Sequence, residues 1–342
     1  MTGPWYQNTT TDQRQILSSR VRLARNISKY RFQQKLTPED ATKMIQEAGG
    51  ALSRAGAKMF HQMDIMALGE TEQKVFLEKH IVSPEFLKGS LPRSLMISDD
   101  QNISVMLNEE DHIRIQSIQA GDMLAEALAM ANQIDDLIEE SIEFAFHRDY
   151  GYLTACPTNT GTGLRASFMI HLPCLERTDL LKKQLPTISK FGITLRGIYG
   201  EGTAPMGSIY QISNQTTLGK SEEDIVQGLQ NVTNTIIEQE NQAMDKLVAH
   251  HRDDTENAIY RAYGTLAYSR KITAKEAMDM LSLIRLGCMT GLMDIEKPAK
   301  PIYQIMMEIQ PGHLMRIAGR EMSEAERDTT RAKYLRDLFN KA

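Results

Sequence analysis

Cysteine is scarce: the 342 residues hold three, at Cys156, Cys174 and Cys288. A sparse, odd set is no basis for a disulfide framework and fits a reducing compartment. Long apolar runs are missing too, and none approaches the roughly 18–20 residues that a membrane span requires. A basic excess is also lacking. The net charge is −5 and the pI is near 6.0, whereas general affinity for a nucleic-acid backbone needs surplus Lys and Arg. The opening residues, Met-Thr-Gly-Pro-Trp-Tyr-Gln, have neither the basic start nor the apolar core of a secretory signal. Internal repeats and low-complexity segments are absent. What remains is 41% hydrophobic and 24% charged, the composition of an ordinary globular chain. The expectation is a cytoplasmic protein of two domains, or of one large domain with an appendage.

Four helix starts are marked by a hydroxyl followed three residues later by a carboxylate, a pattern that satisfies orphan amide groups. They are Thr37 with Asp40, Ser221 with Asp224, Thr273 with Glu276, and Ser323 with Glu326. The helical spacing of Met123, Leu124, Leu128, Ala131, Ile134, Leu137, Ile138 and Ile142 predicts a long helix over 122–146. Short apolar or alternating runs predict strands at 62–68, 94–97, 103–107, 113–118, 165–172, 193–198 and 209–212. They follow no regular βαβ rhythm. The predicted class is therefore α+β, with a largely antiparallel sheet flanked by helices.

Beyond His250 the pattern becomes helical throughout. Residues 251–342 carry 15 Lys and Arg against 13 Asp and Glu, where the first 250 carry 24 against 31. The polar stretch at 250–254 is the expected boundary between a domain over 1–250 and a helical domain over 251–342. The adjacent His250 and His251 lack any Cys or HExxH spacing and read as solvated rather than as a metal site.

Two motifs mislead. Leu218-Gly219-Lys220-Ser221 is the tail of a Walker A loop, but Asn214 stands where its first glycine is needed. Gly161-Thr-Gly163-Leu-Arg-Ala166 matches the loose dinucleotide fingerprint. The residues after it read as a strand, not as the helix that would hold a pyrophosphate.

Five other segments make chemical sense together. They are Ser18-Ser-Arg-Val-Arg-Leu-Ala-Arg-Asn26, Asn108-Glu-Glu-Asp-His-Ile-Arg114, Cys156-Pro-Thr-Asn-Thr-Gly-Thr-Gly-Leu-Arg-Ala-Ser167, Arg196-Gly-Ile-Tyr-Gly-Glu-Gly202 and Ile209-Tyr-Gln-Ile-Ser-Asn214. Arg20 and Arg22 share one face of an extended segment. With Arg114, Arg165 and Arg196 they make five guanidinium groups in an acidic region, a set that calls for a polyanion such as a nucleoside triphosphate. Glu110 and Glu201 are then surplus carboxylates suited to hold a cationic second substrate and accept its proton.

These segments closely resemble the signature of the phosphagen (guanidino) kinase superfamily: its S-S-R-x-R strand, its N-E-E-D loop and its C-P-T-N-x-G-T-G-x-R-A-S loop. Within the superfamily the bacterial protein-arginine kinases are most similar. The likeness extends to Asn108–Gln116, Tyr199-Gly-Glu-Gly202, the Ile-Tyr-Gln-Ile-Ser-Asn-Gln run, Leu-Gly-Lys-Ser-Glu-Glu-Asp, and the late Arg327-Asp-Thr-Thr-Arg-Ala332. Small-guanidine kinases carry a helical domain ahead of the S-S-R-x-R strand. That strand begins here at Ser18, which the resemblance ties to an open site for an arginine on a protein surface.

The resemblance implies transfer of the γ-phosphoryl of ATP, with Mg2+, to protein arginine. It implies Glu110 as catalytic base, Glu201 as the carboxylate that pins the guanidinium, and Cys156 as a reactive thiol. Nucleotide contacts would come from Ser18, Ser19, Arg20, Val21, Arg22, His80, Arg114, Arg165, Ala166, Ser167, Phe168, Met169, Arg196, Gly197, Ile198, Tyr199 and Gly200. An allosteric phosphoarginine pocket would be formed by Arg327, Asp328, Thr329, Thr330, Arg331 and Ala332. Arg327 and Arg331 are four apart, on one face of a predicted helix. No carboxylate cluster reads as a protein metal cage, so Mg2+ would ride on phosphates and water. The family further implies a homodimer, a zinc-binding activator protein, and delivery of marked proteins to a Clp AAA+ protease in a stress response. Two alternatives stay open: a kinase for free arginine or another small guanidine, and a non-catalytic phosphoarginine-binding adaptor.

Overall fold

The arginine-bearing segment near the start of the chain folds as the first strand, β1 (Ile16–Arg25), in which every residue is buried except the half-buried Arg20 and Arg22. Successive side chains of a strand point to opposite faces, so Val21 and Leu23 enter the core while the two arginines share the other face. The computed structural model describes residues 3–8, 14–54, 60–178, 180–197, 205–293, 298 and 300–340.

The other strands are β2 (Phe60–Met63), β3 (Ser94–Ser98), β4 (Ile103–Leu107), β5 (Ile113–Ala120), β6 (Phe146–His147), β7 (Gly151–Tyr152), β8 (Leu164–His171), β9 (Ile193–Gly197) and β10 (Ile209–Asn214). The helices are α1 (Pro38–Arg54), α2 (Glu70–Glu78), α3 (Pro84–Lys88), α4 (Leu124–Glu139), α5 (Pro173–Arg177), α6 (Leu180–Lys190), α7 (Glu222–His250), α8 (Arg252–Tyr268), α9 (Ala274–Thr290), α10 (Ile302–Glu308), α11 (Pro311–Ala318) and α12 (Glu324–Phe339). Eight strands form one sheet in the order β2-β3-β4-β5-β1-β8-β10-β9, and β6 and β7 pair by themselves. The β2-β3, β3-β4, β4-β5 and β1-β5 ladders are antiparallel. The mixed α and β class with a large antiparallel sheet is thus as expected.

The chain divides into two compact units. The first comprises Met1–Trp5, Ser18–Ser167 and Ser213–Gln230. Its sheet is buried on both faces. On one face Arg25 of β1 pairs with Asp135 of α4 at 2.6 Å, and its guanidinium lies 3.5 Å from the Tyr152 ring centre. That buried pair fixes α4 over the side of the sheet carrying Val21, Leu23, Ile113 and Ile115. On the opposite face Leu95, Ile97 and Met106 pack with Ile65, Ile81, Val82 and Phe86 under α2 and α3. Burying each such side chain contributes roughly 1.5–3 kcal/mol.

The second unit comprises Tyr6–Leu17, Phe168–Ile212 and Asn231–Ala342. Here α8 packs against α9 and α12, and α11 against α12. Beyond α7 the described residues contain helices and no strand. Glu240 of α7 is fully buried and accepts the backbone N–H groups of Cys174 and Leu175 at 2.8 Å each, which caps α5.

All four capping hydroxyls accept the amide three residues on: Asp40 N to Thr37, Asp224 N to Ser221, Glu276 N to Thr273 and Glu326 N to Ser323. The predicted helix over 122–146 is shorter than its apolar spacing suggested. It ends at Glu139, after which Phe144 bridges to Ile27 and Ala145 N donates to Asn26 O at 2.7 Å. The predicted strand over 62–68 is two elements, because Asp64 caps a 3-10 turn over Ile65–Ala67. Residue 198 of the predicted strand 193–198 lies outside the described residues.

Candidate active site

The register of β1 against β5 sets Arg22 opposite Gln116 and Ala24 opposite Arg114. Residues directly opposite in an antiparallel pair project on the same side, so Arg20, Arg22 and Arg114 share one face. Arg20 Nε donates to Ser167 Oγ of β8 at 3.3 Å. Arg165, two residues before Ser167, alternates onto the same side. The crowding shows in Arg22. Burial, followed by the charges of Arg20 and Arg114, holds its guanidinium well below the usual arginine range, and Glu109 only partly opposes them. Arginine keeps its proton regardless, so the effect is stored as positive potential. Arg22 Nε is buried and meets no hydrogen-bond acceptor among the described residues.

Beside this face the chain turns from β4 to β5 through Asn108–His112. Asn108 adopts a positive φ of 67°, which asparagine tolerates, and its Nδ2 donates to Pro92 O at 2.7 Å. The turn sends Glu109 inward, where it is 3% exposed, and Glu110 outward, with its side chain 42% exposed. Arg114 lies between them. Its Nη1 is 2.6 Å from Glu109 Oε2 and its Nη2 is 3.2 Å from Glu110 Oε2. Asp111 is fully buried and accepts from Asn26 Nδ2 at 2.7 Å and from Ala155 N at 2.6 Å. His112 Nδ1 accepts from Ile27 N at 3.0 Å and Nε2 donates to Arg31 O at 2.8 Å, an arrangement of the neutral ring. Burial accordingly lowers its pKa. Asp111 thus joins the end of the Ser18–Asn26 segment to the residue that precedes Cys156.

Cys156, half-buried, precedes a 3-10 turn over Pro157–Asn159 and has its Sγ 3.1 Å from Thr158 Oγ1. The loop after it lies close against its neighbours. Gly161 has φ 116° and Gly163 φ 66°. A Cβ on them would come within 2.3 Å of Thr217 O and 2.6 Å of Ala24 O. Only glycine fits both demands. Asn214 then locks the start of β8, accepting from Ala166 N at 2.8 Å and donating to Leu164 O at 3.0 Å. Arg165 Nη1 donates to Asn214 O at 3.2 Å.

The remaining expected residues fall as follows. Ser18 lies on the arginine face. Ser19 points to the other side, where its Oγ donates to Gly121 O at 2.7 Å and accepts from Met123 N at 2.9 Å. Val21 is fully buried on that same side. His80 is half-buried with φ 58°. Burial and then the charge of Arg20 push its pKa down to about 3, so the ring is neutral. Ala166 and Phe168 are fully buried, and Met169 nearly so.

Arg196 is on β9 of the second unit, with its Nε 3.3 Å from Thr194 Oγ1, and Gly197 ends that strand. Ile198, Tyr199, Gly200 and Glu201 lie outside the described residues. On α12 the four-residue spacing holds, but the two arginines differ. Arg331 is buried and donates to Ile309 O, Ile272 O and Asp328 Oδ1 at 3.0, 2.9 and 2.7 Å. Half-buried Arg327 donates to Met322 O at 2.8 Å. Thr329 is exposed, Thr330 half-buried and Ala332 buried.

Sequence reasoning passed over Glu109, Asp111 and Asn214 as site-building residues. For the two acids a signal existed in their place in the Asn108–Arg114 segment beside Glu110. For Asn214 none did, because its partners lie some fifty residues away. Among the described residues no group of three potential metal ligands converges.

Residues 41–243 match the ATP:guanido phosphotransferase C-terminal catalytic domain, and residues 252–342 match the protein-arginine kinase McsB C-terminal domain. The protein-arginine kinase of Halalkalibacterium halodurans is 42% identical over 98% of this chain and 94% of its own length. That of Bacillus cereus is 44% identical over 98% and 95%. A duplicated taurocyamine kinase from Schistosoma mansoni, solved with transition-state analogue components, superposes with a TM-score of 0.60 at 27% identity over 70% of this chain. This chain spans about a third, 34%, of that duplicated one. Lombricine kinase, at a TM-score of 0.59 and 23% identity over 70% of this chain and 71% of its own, shares the fold. The chain belongs to the ATP:guanido phosphotransferases and, within them, to the protein-arginine kinase family. It is a kinase of the guanidino class. No helix among the described residues is long and apolar enough to cross a membrane.

Proposed function

We propose that this chain transfers the γ-phosphoryl group of ATP to a guanidino nitrogen of arginine side chains in proteins. The observation that carries this reading is the common face of Arg20, Arg22 and Arg114, with Arg22 Nε buried without an acceptor among the described residues and half-buried Glu110 beside it. Excess positive potential next to a carboxylate suits a polyphosphate and a cation brought together. A guanidinium, with a pKa of roughly 12 or higher, attacks only when oriented and relieved of a proton. Glu110 would take that proton and Glu201 would pin the group in line with the phosphorus. Arg20, Arg22, Arg114, Arg165 and Arg196 would clamp the phosphates, and neutral His80 would border the nucleotide without adding charge. Cys156 would rest against the substrate guanidinium, and Mg2+ would be carried in on the nucleotide.

The finer reading extends to regulation and fate. Residues 1–250 would form the catalytic domain. The helical domain over 251–342 would support dimerisation and hold phosphoarginine near Arg327, Asp328, Thr329, Thr330, Arg331 and Ala332. In the cytoplasm the product would mark proteins for a Clp AAA+ protease under stress, aided by a zinc-binding activator. ADP release measured with free arginine and with an unfolded arginine-rich protein tests the substrate class. Turnover on the protein alone is expected; turnover confined to free arginine would replace this reading with a small-guanidine kinase.

A further inference from the structure

The β6–β7 hairpin takes no part in that chemistry, yet it walls a cleft of about 450 Å3 on the outside of the Cys156 loop. The cleft is lined by Phe146, Asp149 and Tyr150 on the hairpin side and by Leu218, Lys220 and Asp224 opposite. Its apolar residues are uncommonly exposed: Phe146 at 60%, Tyr150 at 55% and Leu218 at 50%. Its floor belongs to the loop that leads from Cys156 to Arg165. Tyr152 N donates to Gly161 O at 2.8 Å, Thr162 N to Thr217 O at 3.2 Å, and Thr217 Oγ1 to Thr160 O at 2.7 Å.

The far wall is the Walker-like tail Leu218–Ser221, which invites an anion at the start of α7. Electrostatics argue the other way. Glu222, Glu223 and Asp224 fill the first turn of that helix, and Ser221 and Asp224 already cap each other. Three carboxylates (Asp149, Glu222 and Asp224) face one ammonium, Lys220, among the lining residues. Glu222 is turned toward Asn132 at 3.2 Å, which leaves Asp149 and Asp224 as the exposed acids. The ion pair of Asp149 with solvent-exposed Arg148 is a long one, at 3.7 Å. Exposed ring faces beside exposed carboxylates favour a planar cation, and guanidinium both stacks and ion-pairs where ammonium only attracts.

From this cleft of exposed aromatic rings and carboxylates on the catalytic loop, we propose a docking site for a second arginine of the protein substrate, distinct from the one phosphorylated. The inference rests on the reading of the chain as a kinase of protein arginine. The test compares peptides with a single acceptor arginine, with a second arginine at successive positions on either side, and with lysine at those positions. Wild type should show a KM about fivefold lower for the best two-arginine peptide. Lysine should give less than half of that gain.

In Asp149→Asn combined with Tyr150→Ser, the advantage should shrink to the statistical factor of having two acceptors. The kcat and KM of the one-arginine peptide, which report correct folding, should stay unchanged. An undiminished advantage in the variant, or an equal gain from lysine, overturns the docking site while leaving the kinase reading intact. Wild-type turnover on none of the peptides overturns the kinase reading, and the docking site with it.

Discussion

The carboxylate of Asp111 accepts the backbone N–H of Ala155 at 2.6 Å, tying the turn that presents Glu110 to the loop that presents Cys156. Asn26, at the end of the strand carrying Arg20 and Arg22, joins the same carboxylate at 2.7 Å. Asp111→Ala should leave one buried and one half-buried donor unmatched. The expected loss is about 1–3 kcal/mol of stability, together with a fall in kcat. Urea unfolding and steady-state turnover on one preparation would check this. An unchanged kcat would show that the loops hold their places without Asp111.

Arg22 offers the opposite combination. Its half-buried guanidinium lies among like charges, and its buried Nε lacks an acceptor among the described residues. Replacing a poorly compensated buried charge with an apolar side chain of similar length is often neutral or stabilising. Arg22→Met should therefore unfold at the same or a higher temperature while the KM for ATP rises about tenfold or more. A falling Tm with an unchanged KM would make Arg22 a structural residue.

The neutral His80 predicts a pH effect on stability. Its folded pKa of about 3 lies below the ordinary 6.5, so the unfolded chain binds the proton more readily. Its contribution is complete above pH 6.5 and is lost as the pH falls toward 3. The slope from one such group is at most about 1.4 kcal/mol per pH unit. Asparagine tolerates the positive φ of this position. His80→Asn should thus flatten the fall in unfolding free energy between neutral and mildly acidic pH. The slope will not vanish, because burial also lowers His112 and His171. An identical slope in variant and wild type would contradict the assignment.

On α12 the two arginines should separate. Arg331→Ala breaks a buried pair with Asp328 and frees two carbonyls, at an expected cost of about 3–5 kcal/mol. Arg327→Ala should cost under about 1 kcal/mol and spare basal turnover while abolishing any activation by phosphoarginine. Thermal unfolding paired with assays in added phosphoarginine decides. Equal destabilisation by both changes would leave α12 purely structural.

How far the sequence reached depends on the range of the interactions involved. The caps at Thr37, Ser221, Thr273 and Ser323 are local, and all were legible. Strand β4 was predicted with its observed limits, and the alternation in Arg20-Val21-Arg22 already put both arginines on one face. Ile142 extended the helical spacing past Glu139, although the chain there has already left the helix toward a distant segment, as the Ile27–Phe144 bridge shows. The β6–β7 hairpin has two residues per strand, too few for any alternation to register. The four-residue spacing of Arg327 and Arg331 marked a shared face but could not say that Arg331 is buried. Glu109, next to Glu110 in sequence, serves a different purpose. It is turned inward beneath Arg114, a direction set by the turn and not by residue type.

The most direct test is mass spectrometry, under conditions that preserve phosphoramidates, of a protein incubated with ATP and either wild type or Glu110→Gln. Glu110 is half-buried, and Arg114 keeps Glu109 when it is changed, so the variant should fold and still bind nucleotide. The account predicts phosphoarginine on the protein with wild type and at least about a hundredfold less with the variant. Phosphate found only on Ser, Thr or Tyr, or equal phosphoarginine with both enzymes, would contradict it.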